Sequence, residues 1–127
     1  MAISSKIDRS NSLTTFILKG DISADDILLA QKTLYENPDQ PPTLNVLWDI
    51  QEAIVTPPIK DEDLNRIVSY LSINADSRKG GKTAIVARVN FDFNVSKKYE
   101  LFTQLKGLAV TVAVFRSLGE ATMWLEE

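Results

Sequence analysis

The sequence predicts a single α/β domain over residues 1–127, with a mixed, mostly parallel sheet of about five strands and four helices. Two patterns predict this class. After residue 20, short apolar runs alternate with segments of helical periodicity, which is typical of parallel strands joined by helices. The first two apolar runs are separated only by the turn-forming "SNS", which predicts an antiparallel hairpin. The predicted order is β-β-α-β-α-β-α-β-α.

Each predicted strand is an apolar run bounded by turn residues or charges. "KTAIVARV" is apolar almost throughout, as expected of a strand that is buried on both faces. "NVLWDI" contains Trp48 and Asp49, so that a carboxylate stands where the chain should leave the sheet. Gly20 is expected to end the second strand. The predicted strands are 2–9, 13–19, 44–50, 82–89 and 108–115.

The helices are predicted from their caps and their apolar stripes. Ser23 is a typical N-cap for the first helix, which runs to about Glu36, where "NPDQPP" stops it. Gly80 or Gly81 is expected to end the second helix, and "SLGE" is a capping box for the last. The residues predicted to be buried are Ile27, Ala30 and Leu34, then Leu64, Ile67, Val68 and Leu71, then Val95, Tyr99, Leu101, Phe102 and Leu105, and finally Leu118, Ala121 and Leu125.

The composition excludes several classes of function. Fourteen basic and 17 acidic residues give a net charge of -3, which argues against a nucleic-acid partner. The chain has no cysteine and no histidine, which removes Ser-His and Cys-His nucleophile pairs and the usual ligands of zinc. "MAISSKIDRSNS" lacks the apolar core of a signal peptide. We therefore predict a cytoplasmic protein that is not an enzyme and that has no metal and no cofactor.

Two segments have both a functional and a structural interpretation. "DSRKGGKT" ends like a phosphate-binding loop, but Asp76 stands where that loop needs glycine, and a helix precedes it where a strand should. Asp61, Glu62 and Asp63 could form a metal or acid–base cluster, but the dipole of the helix they open explains them without function. The structural interpretation is favoured for both.

A small basic patch leaves two alternatives open. Arg78, Lys79 and Lys82 follow the second helix. Such a patch can contact an anionic lipid headgroup, which makes peripheral membrane contact a candidate. A solvated turn is favoured, because three charges contribute little to membrane binding.

Aromatic residues indicate a ligand site at the carboxyl edge of the sheet, where open α/β sheets bind their ligands. Phe91 and Phe93 lie in "NFDFN", a predicted loop before the third helix, where at least one ring is expected to be exposed as a lid. Ordinary core packing is the alternative. The candidate ligand-binding residues are Trp48, Asp49, Phe91, Phe93, Tyr99 and Phe102.

Asp49 itself has two interpretations. As strand ends, Asp49, Arg88 and Arg116 are predicted to lie along one edge of the sheet. A carboxylate there is best explained as a structural tether to an arginine or to the backbone amides of residues 51–53. Contact with a ligand is the alternative, and neither catalysis nor phosphorylation is predicted.

Three stretches resemble the SpoIIAA-like family of bacterial proteins, which has the STAS fold. They are "TTFILKGDISADD", "NVLWDI" and the ending "VAVFRSLGEATMWL", and the likeness covers nearly the whole chain. The resemblance implies a STAS-like sandwich, related in fold to anti-anti-sigma factors and to CRAL-TRIO lipid-binding domains. It also implies a non-catalytic module that binds an apolar or lipid-like ligand or a protein partner.

One departure from the family defines the alternative function. Sporulation-type anti-anti-sigma factors carry an Asp-Ser pair just after the third strand, where a kinase partner phosphorylates the serine. The matching place here reads Asp49-Ile50-Gln51-Glu52, without a hydroxyl, and Thr56 nearby precedes two prolines. The alternative is therefore an anti-anti-sigma-type regulator of a kinase-like anti-sigma factor that lacks the usual phosphoserine.

Overall fold

The computed structural model describes residues 2–56 and 59–127, except for the side chain of Phe91. Within them, the predicted order of strands and helices is confirmed. The strands are β1 (Ala2–Asp8), β2 (Leu13–Ile22), β3 (Asn45–Val55), β4 (Lys82–Val86) and β5 (Thr111–Phe115). The helices are α1 (Ala24–Tyr35), α2 (Asp61–Asn74), α3 (Asn90–Leu105) and α4 (Leu118–Glu126), and a short 3-10 helix (Ala75–Arg78) follows α2.

The five strands form one mixed sheet in chain order. Strand β1 is antiparallel to β2, and β2 to β5 are parallel. Helices α1, α2 and α3 pack on one face in the larger core cluster, which contains Phe16, Leu18, Val46, Ile85, Leu34, Leu71 and Tyr99. Helix α4 packs on the other face, where Ala121 and Leu125 contact the smaller cluster of Leu47, Ala84 and Val86.

Strand β3 is longer than predicted. It runs to Val55 rather than stopping near residue 50, because it continues to pair with β2 after its pairing with β4 has ended at Asp49. The register between β2 and β3 shifts between Ile17 and Lys19, where β3 has one extra residue, as in a β-bulge. Asp49 therefore lies beside a bulge inside the strand, and its predicted place at the strand end is wrong.

The other strand boundaries also differ. Strand β2 passes through Gly20, which has a φ of 78°, and remains paired as far as Ile22. Strand β4 ends at Val86, three residues before its predicted end at 89, because helix α3 begins at Asn90. The pairing of β5 starts only at Thr111, opposite Lys82.

The early start of α3 changes the setting of the aromatic residues. Phe91 and Phe93 lie in the first turn of this helix, so the predicted loop is wrong. The face that α3 buries contains Asp92, Ser96, Tyr99 and Thr103, at helical spacing, and three of these four side chains are polar or charged.

Because α3 buries a largely polar face, some apolar residues of its predicted stripe lie on its exposed side. Leu101 and Leu105 are 49% and 74% exposed, and Leu118 of α4 is 43% exposed, so their predicted burial is wrong. The α2 stripe, by contrast, is confirmed in full, since all four of its predicted residues are buried.

The basic segment after α2 is not a solvated turn. Arg78 is only 2% exposed, and its guanidinium donates to the Leu44 carbonyl at 3.0 Å, the Tyr35 hydroxyl at 2.8 Å, and the Lys82 carbonyl and Thr83 hydroxyl at 2.9 Å each. Four neutral acceptors from three parts of the chain thus satisfy one buried cation.

Lys82 is also engaged. Its ammonium donates to the carbonyl oxygens of Trp124 and Glu127, at 2.8 and 3.0 Å, and lies 5.1 Å from the centre of the Trp124 ring. Two of the three cations proposed for a basic patch therefore stabilise the fold, which leaves little charge for a membrane surface.

Ser23 caps α1 as predicted, whereas α4 has only the Ser117 half of its predicted capping box among the described residues. Ser23 and Asp26 exchange two hydrogen bonds, at 3.2 and 2.9 Å. The hydroxyl oxygen of Ser117 accepts a hydrogen bond from the Glu120 amide at 3.2 Å.

We expect Ser117→Ala to lower the free energy of unfolding by about 1 kcal/mol. Urea denaturation measures this loss, and an unchanged midpoint would contradict a stabilising role for the cap.

Candidate functional site: an interior cavity beneath α1, α2 and α3

A cavity of about 70 Å³ lies between the sheet and helices α1, α2 and α3 and is partly open to solvent. Its walls include the last residues of β2 and β3, Ile22 and Val55, and the first turn of α3, which places it toward the carboxyl edge of the sheet. Apart from Gln31, Asp92, Ser96 and Tyr99, its walls are apolar. The remaining lining residues are Leu18, Ile22, Ile27, Trp48, Ile50, Ala53, Val55, Ile59, Leu64, Ile67, Ile85 and Val95.

Two side chains in this apolar lining have unpaired polar atoms. Asp92 is fully buried, and its Oδ1 accepts a hydrogen bond from the Val55 amide at 3.3 Å, whereas its Oδ2 has no partner among the described residues. Gln31 is 4% exposed, and in the part of the chain that the structure describes its Oε1 has no partner either. Buried polar atoms are usually paired with protein or with water, so these two atoms mark the positions where the cavity can hold a hydrogen-bonded molecule.

Burial raises the pKa of Asp92. Removal from water raises the pKa of its carboxyl group, and the hydrogen bond from the Val55 amide opposes this only in part. No lysine or arginine lines the described cavity. The other titratable side chain in the lining is Tyr99, whose pKa burial also raises, so that it stays neutral.

Asp92 should make stability depend on pH. Its folded pKa lies above the ordinary value of 3.8, so the folded protein holds this proton more tightly than the unfolded chain does. Stability is therefore lost as the pH rises from 3.8 through the folded pKa. The variant Asp92→Asn removes this loss. The denaturation midpoint of the variant minus that of the wild type should therefore be more positive at pH 7 than at pH 4. The exposed Asp21→Asn is the control, and an Asp92→Asn effect that is equal at both pH values would contradict the assignment.

Of the five predicted ligand-binding residues whose side chains are described, two line the cavity. Trp48 lies on β3 and stacks on Phe16, with ring centres 4.4 Å apart, and Tyr99 lies on the buried face of α3. Phe102 is half-buried against the same core cluster without lining the cavity.

The predicted aromatic lid is not a loop. Phe93 is half-buried in the first turn of α3, with the guanidinium of Arg116 lying 4.0 Å from its ring centre. Arg116 also donates to the Arg88 carbonyl and to Asn90 Oδ1. The side chain of Phe91 lies outside the described part, so its expected exposure stays a prediction.

Asp49 lies on the opposite face of the sheet from the cavity. It is paired with Val86, which packs under α4, whereas the neighbouring Trp48 points to the cavity. Asp49 Oδ1 accepts from the amide and the side-chain nitrogen of Gln51, both at 3.1 Å. The predicted structural tether is confirmed in its backbone-amide form, and Arg116, one of the arginines offered as an alternative partner, bonds the Arg88 carbonyl and Asn90 instead.

Gln31 and Asp92 were not among the predicted site residues, although both are polar residues in an apolar helical pattern. Gln31 lies between Ile27 and Leu34 at spacings of four and three residues. Asp92 precedes Val95 and Tyr99, at spacings of three and seven residues. A polar residue inside an apolar helical stripe was the available signal.

The described residues show no site for a metal and no helix suited to a bilayer. No group of three or more acidic side chains in 2–56 and 59–127 could hold a metal ion. In the same residues, no helix combines the length and the apolar content needed to cross a membrane.

Comparison with known proteins relates this architecture to solved structures. No protein-family model matches the sequence, and no curated protein does so either. An uncharacterised DUF3478-family protein with a SpoIIAA-like fold, from Shewanella loihica PV-4, superposes with a TM-score of 0.60 over 98% of this chain and 92% of its own, at 16% identity. The chain has a SpoIIAA-like fold.

The anti-sigma factor antagonist SpoIIAA in its unphosphorylated form is also similar. It gives a TM-score of 0.51 at 10% identity, over 84% of this chain and 100% of that one. At such identities the likeness concerns the fold, and this confirms the predicted STAS-like architecture.

Proposed function

We propose that this protein is a non-catalytic cytoplasmic regulator that acts by binding a protein partner. The observation that carries the proposal is the likeness of its SpoIIAA-like fold to an anti-sigma factor antagonist, over 84% of the chain. The candidate partner is accordingly a kinase-like anti-sigma factor. The net charge of -3 is compatible with a protein partner and not with phosphate neutralisation on a nucleic acid.

The proposed binding does not depend on a phosphoserine at residues 49–52. That segment has no hydroxyl and lies at the bulge inside β3. Because β3 ends at Val55, the residue that follows the strand is Thr56, and its amide donates to the Ile22 carbonyl at 2.8 Å. Thr56 is therefore the residue to test when phosphorylation is examined.

The test is titration calorimetry with the kinase-like anti-sigma factor encoded in the same genome. We expect saturable binding in the micromolar range or tighter, with the same Kd after incubation with ATP. Thr56→Val should bind as the wild type does. Lack of binding would refute the regulator, and transfer of phosphate to Thr56 with a loss of affinity would refute its independence of phosphorylation.

A second candidate function is the binding of a small, mostly apolar molecule, which the cavity favours. Its 70 Å³ is about half of the roughly 150 Å³ that holds a benzene molecule in an engineered cavity. A whole acyl chain would require α1, α2 and α3 to move apart. Native mass spectrometry of protein purified from cells should show a small co-purifying molecule, and a spectrum of unliganded protein alone would count against this function.

A further inference from the structure

We propose that β1 is a dimerisation edge, which pairs antiparallel with β1 of a second copy of this chain and joins the two five-stranded sheets into one. This inference goes beyond the proposed function and does not rest on it. Three features carry it: the open edge of β1, the self-complementary pattern of its side chains, and the space on the α1 side of the strand.

The outer edge of β1 is open. Within residues 2–56 and 59–127, β1 pairs only with β2, and this pairing runs without a shift from Ala2 to Asp8. Apart from the half-buried Ile3, every residue of the strand is exposed. The strand has no proline and no bulge, and Lys6 and Asp8 are its only charges. It therefore has few of the features that keep sheet edges from pairing.

The edge at the other side of the sheet is less accessible. The Thr111 amide donates to the Gly81 carbonyl and the Phe115 carbonyl accepts from the Ala87 amide, so these backbone groups of β5 face β4. Because this direction alternates along a strand, the backbone groups of Val112 face outward. Val112 is nevertheless only 4% exposed, so the edge of β5 is shielded at this point. Of the two edge strands, β1 is the one that an added strand can reach.

The side chains of β1 complement each other in the register that pairs all seven residues. Under two-fold symmetry, this register sets Ser5 opposite Ser5 of the second copy, and Ile3 of each copy opposite Ile7 of the other. Lys6 then lies opposite Ser4, and no two charged residues are opposed. A shift of the second copy by two residues would instead set Lys6 against Lys6, which is unfavourable. The full-length register is thus also the one that pairs the isoleucines.

The isoleucine pairs have space on the side of the sheet that faces α1. Ile3 and Ser5 are paired with Leu18 and Phe16 of the larger core cluster, so the odd-numbered side chains of β1 point to this side. A second cavity, of about 120 Å³, lies there between β1, β2 and the last turn of α1. Ile7 lines this cavity and is 42% exposed. Ile3 of the second copy would cover Ile7 and remove apolar surface from water.

Single-cysteine variants test the register, because the chain has no cysteine of its own. In Ser5→Cys the two thiols face each other across the two-fold axis, with Cα atoms about 4.5–5.5 Å apart, which a disulfide spans. Ser4→Cys is the matched control on the same strand, because its two Cα atoms would lie about 8 Å apart, beyond the reach of a disulfide. In a glutathione redox buffer, non-reducing electrophoresis should show cross-linked dimer for Ser5→Cys and monomer for Ser4→Cys.

Sedimentation velocity tests the dimer without a cross-link. We expect the wild type to be dimeric at about 100 µM and monomeric at about 1 µM, as suits a small interface. The variant Ile7→Lys should weaken dimerisation about tenfold, because a charge replaces the apolar residue opposite Ile3. The control is Ile73→Lys, which makes the same change at a residue that is 81% exposed on α2 and should leave dimerisation unchanged.

The outcomes distinguish a second copy from another occupant of the edge. A wild type that is monomeric at about 100 µM, or equal cross-linking of the two cysteine variants, would refute the dimer. If Ile7→Lys does not fold, the cysteine variants still decide the matter, because Ser4 and Ser5 are both exposed. A monomeric wild type whose binding to the anti-sigma factor is weakened by Ile7→Lys would mean that the edge pairs with that protein, which also refutes the dimer. The calorimetry with the wild type tests the proposed function separately.

Discussion

Replacing Arg78 with methionine should lower the free energy of unfolding by about 3 kcal/mol, because several acceptors inside the fold lose their donor. Methionine preserves much of the apolar length but offers no donor. The carbonyl oxygens of Leu44 and Lys82 would lose their guanidinium partner, at 3.0 and 2.9 Å, inside the protein. Each acceptor left unpaired in this way costs about 1–3 kcal/mol.

Arg66→Met is the matched control for this prediction. Arg66 forms ion pairs with Asp25 and Asp63, at 3.1 and 3.5 Å, but its side chain is 56% exposed. Exposed pairs of this kind contribute about 0–1 kcal/mol. Urea denaturation of both variants should separate them clearly, and equal losses would show that the buried guanidinium has no special role.

The architecture could be predicted because its signals are local. Ser23 and Ser117 cap helices through neighbouring amides, and the α2 stripe buries four apolar residues at regular spacing. The order of strands follows from the alternation of these elements. Each of these signals lies within a short stretch of adjacent residues.

The errors arose where distant segments decide the outcome. Arg78 follows a helix and precedes two glycines, which is typical of a surface turn. Its four acceptors nevertheless come from α1, from Leu44 just before β3, and from β4. In the same way, the length of β3 depends on continued pairing with β2, and no residue near position 50 signals that pairing.

The candidate site was predicted only in part for a related reason. Trp48 and Tyr99 are large aromatic residues, and both line the cavity. Asp49 was grouped with them because it is adjacent in sequence, but successive strand residues point to opposite faces. Gln31 and Asp92 were overlooked because polar residues on helices are usually exposed, and only the packed structure shows that these two face inward.

Gly81→Ala should lower the free energy of unfolding by about 3 kcal/mol, because an added methyl group overlaps backbone atoms that cannot move freely. A Cβ atom at this position would overlap the Leu44 carbonyl oxygen and lie 2.9 Å from the Arg78 carbonyl oxygen. The Gly81 amide donates to the Arg78 carbonyl at 2.8 Å, and the Gly81 carbonyl accepts from the Thr111 amide at 3.0 Å. These two hydrogen bonds hold the backbone of Gly81 in place.

The control is Gly119→Ala in α4, where a Cβ would meet no atom within 4 Å. It should stabilise the protein by up to about 1 kcal/mol, since alanine favours helix. Gly81→Ala displaces the same Leu44 carbonyl that accepts from Arg78, so the losses from Gly81→Ala and Arg78→Met should overlap. The double variant should therefore lose less stability than the two single losses combined. Strict additivity would mean that the glycine and the arginine act on separate parts of the fold.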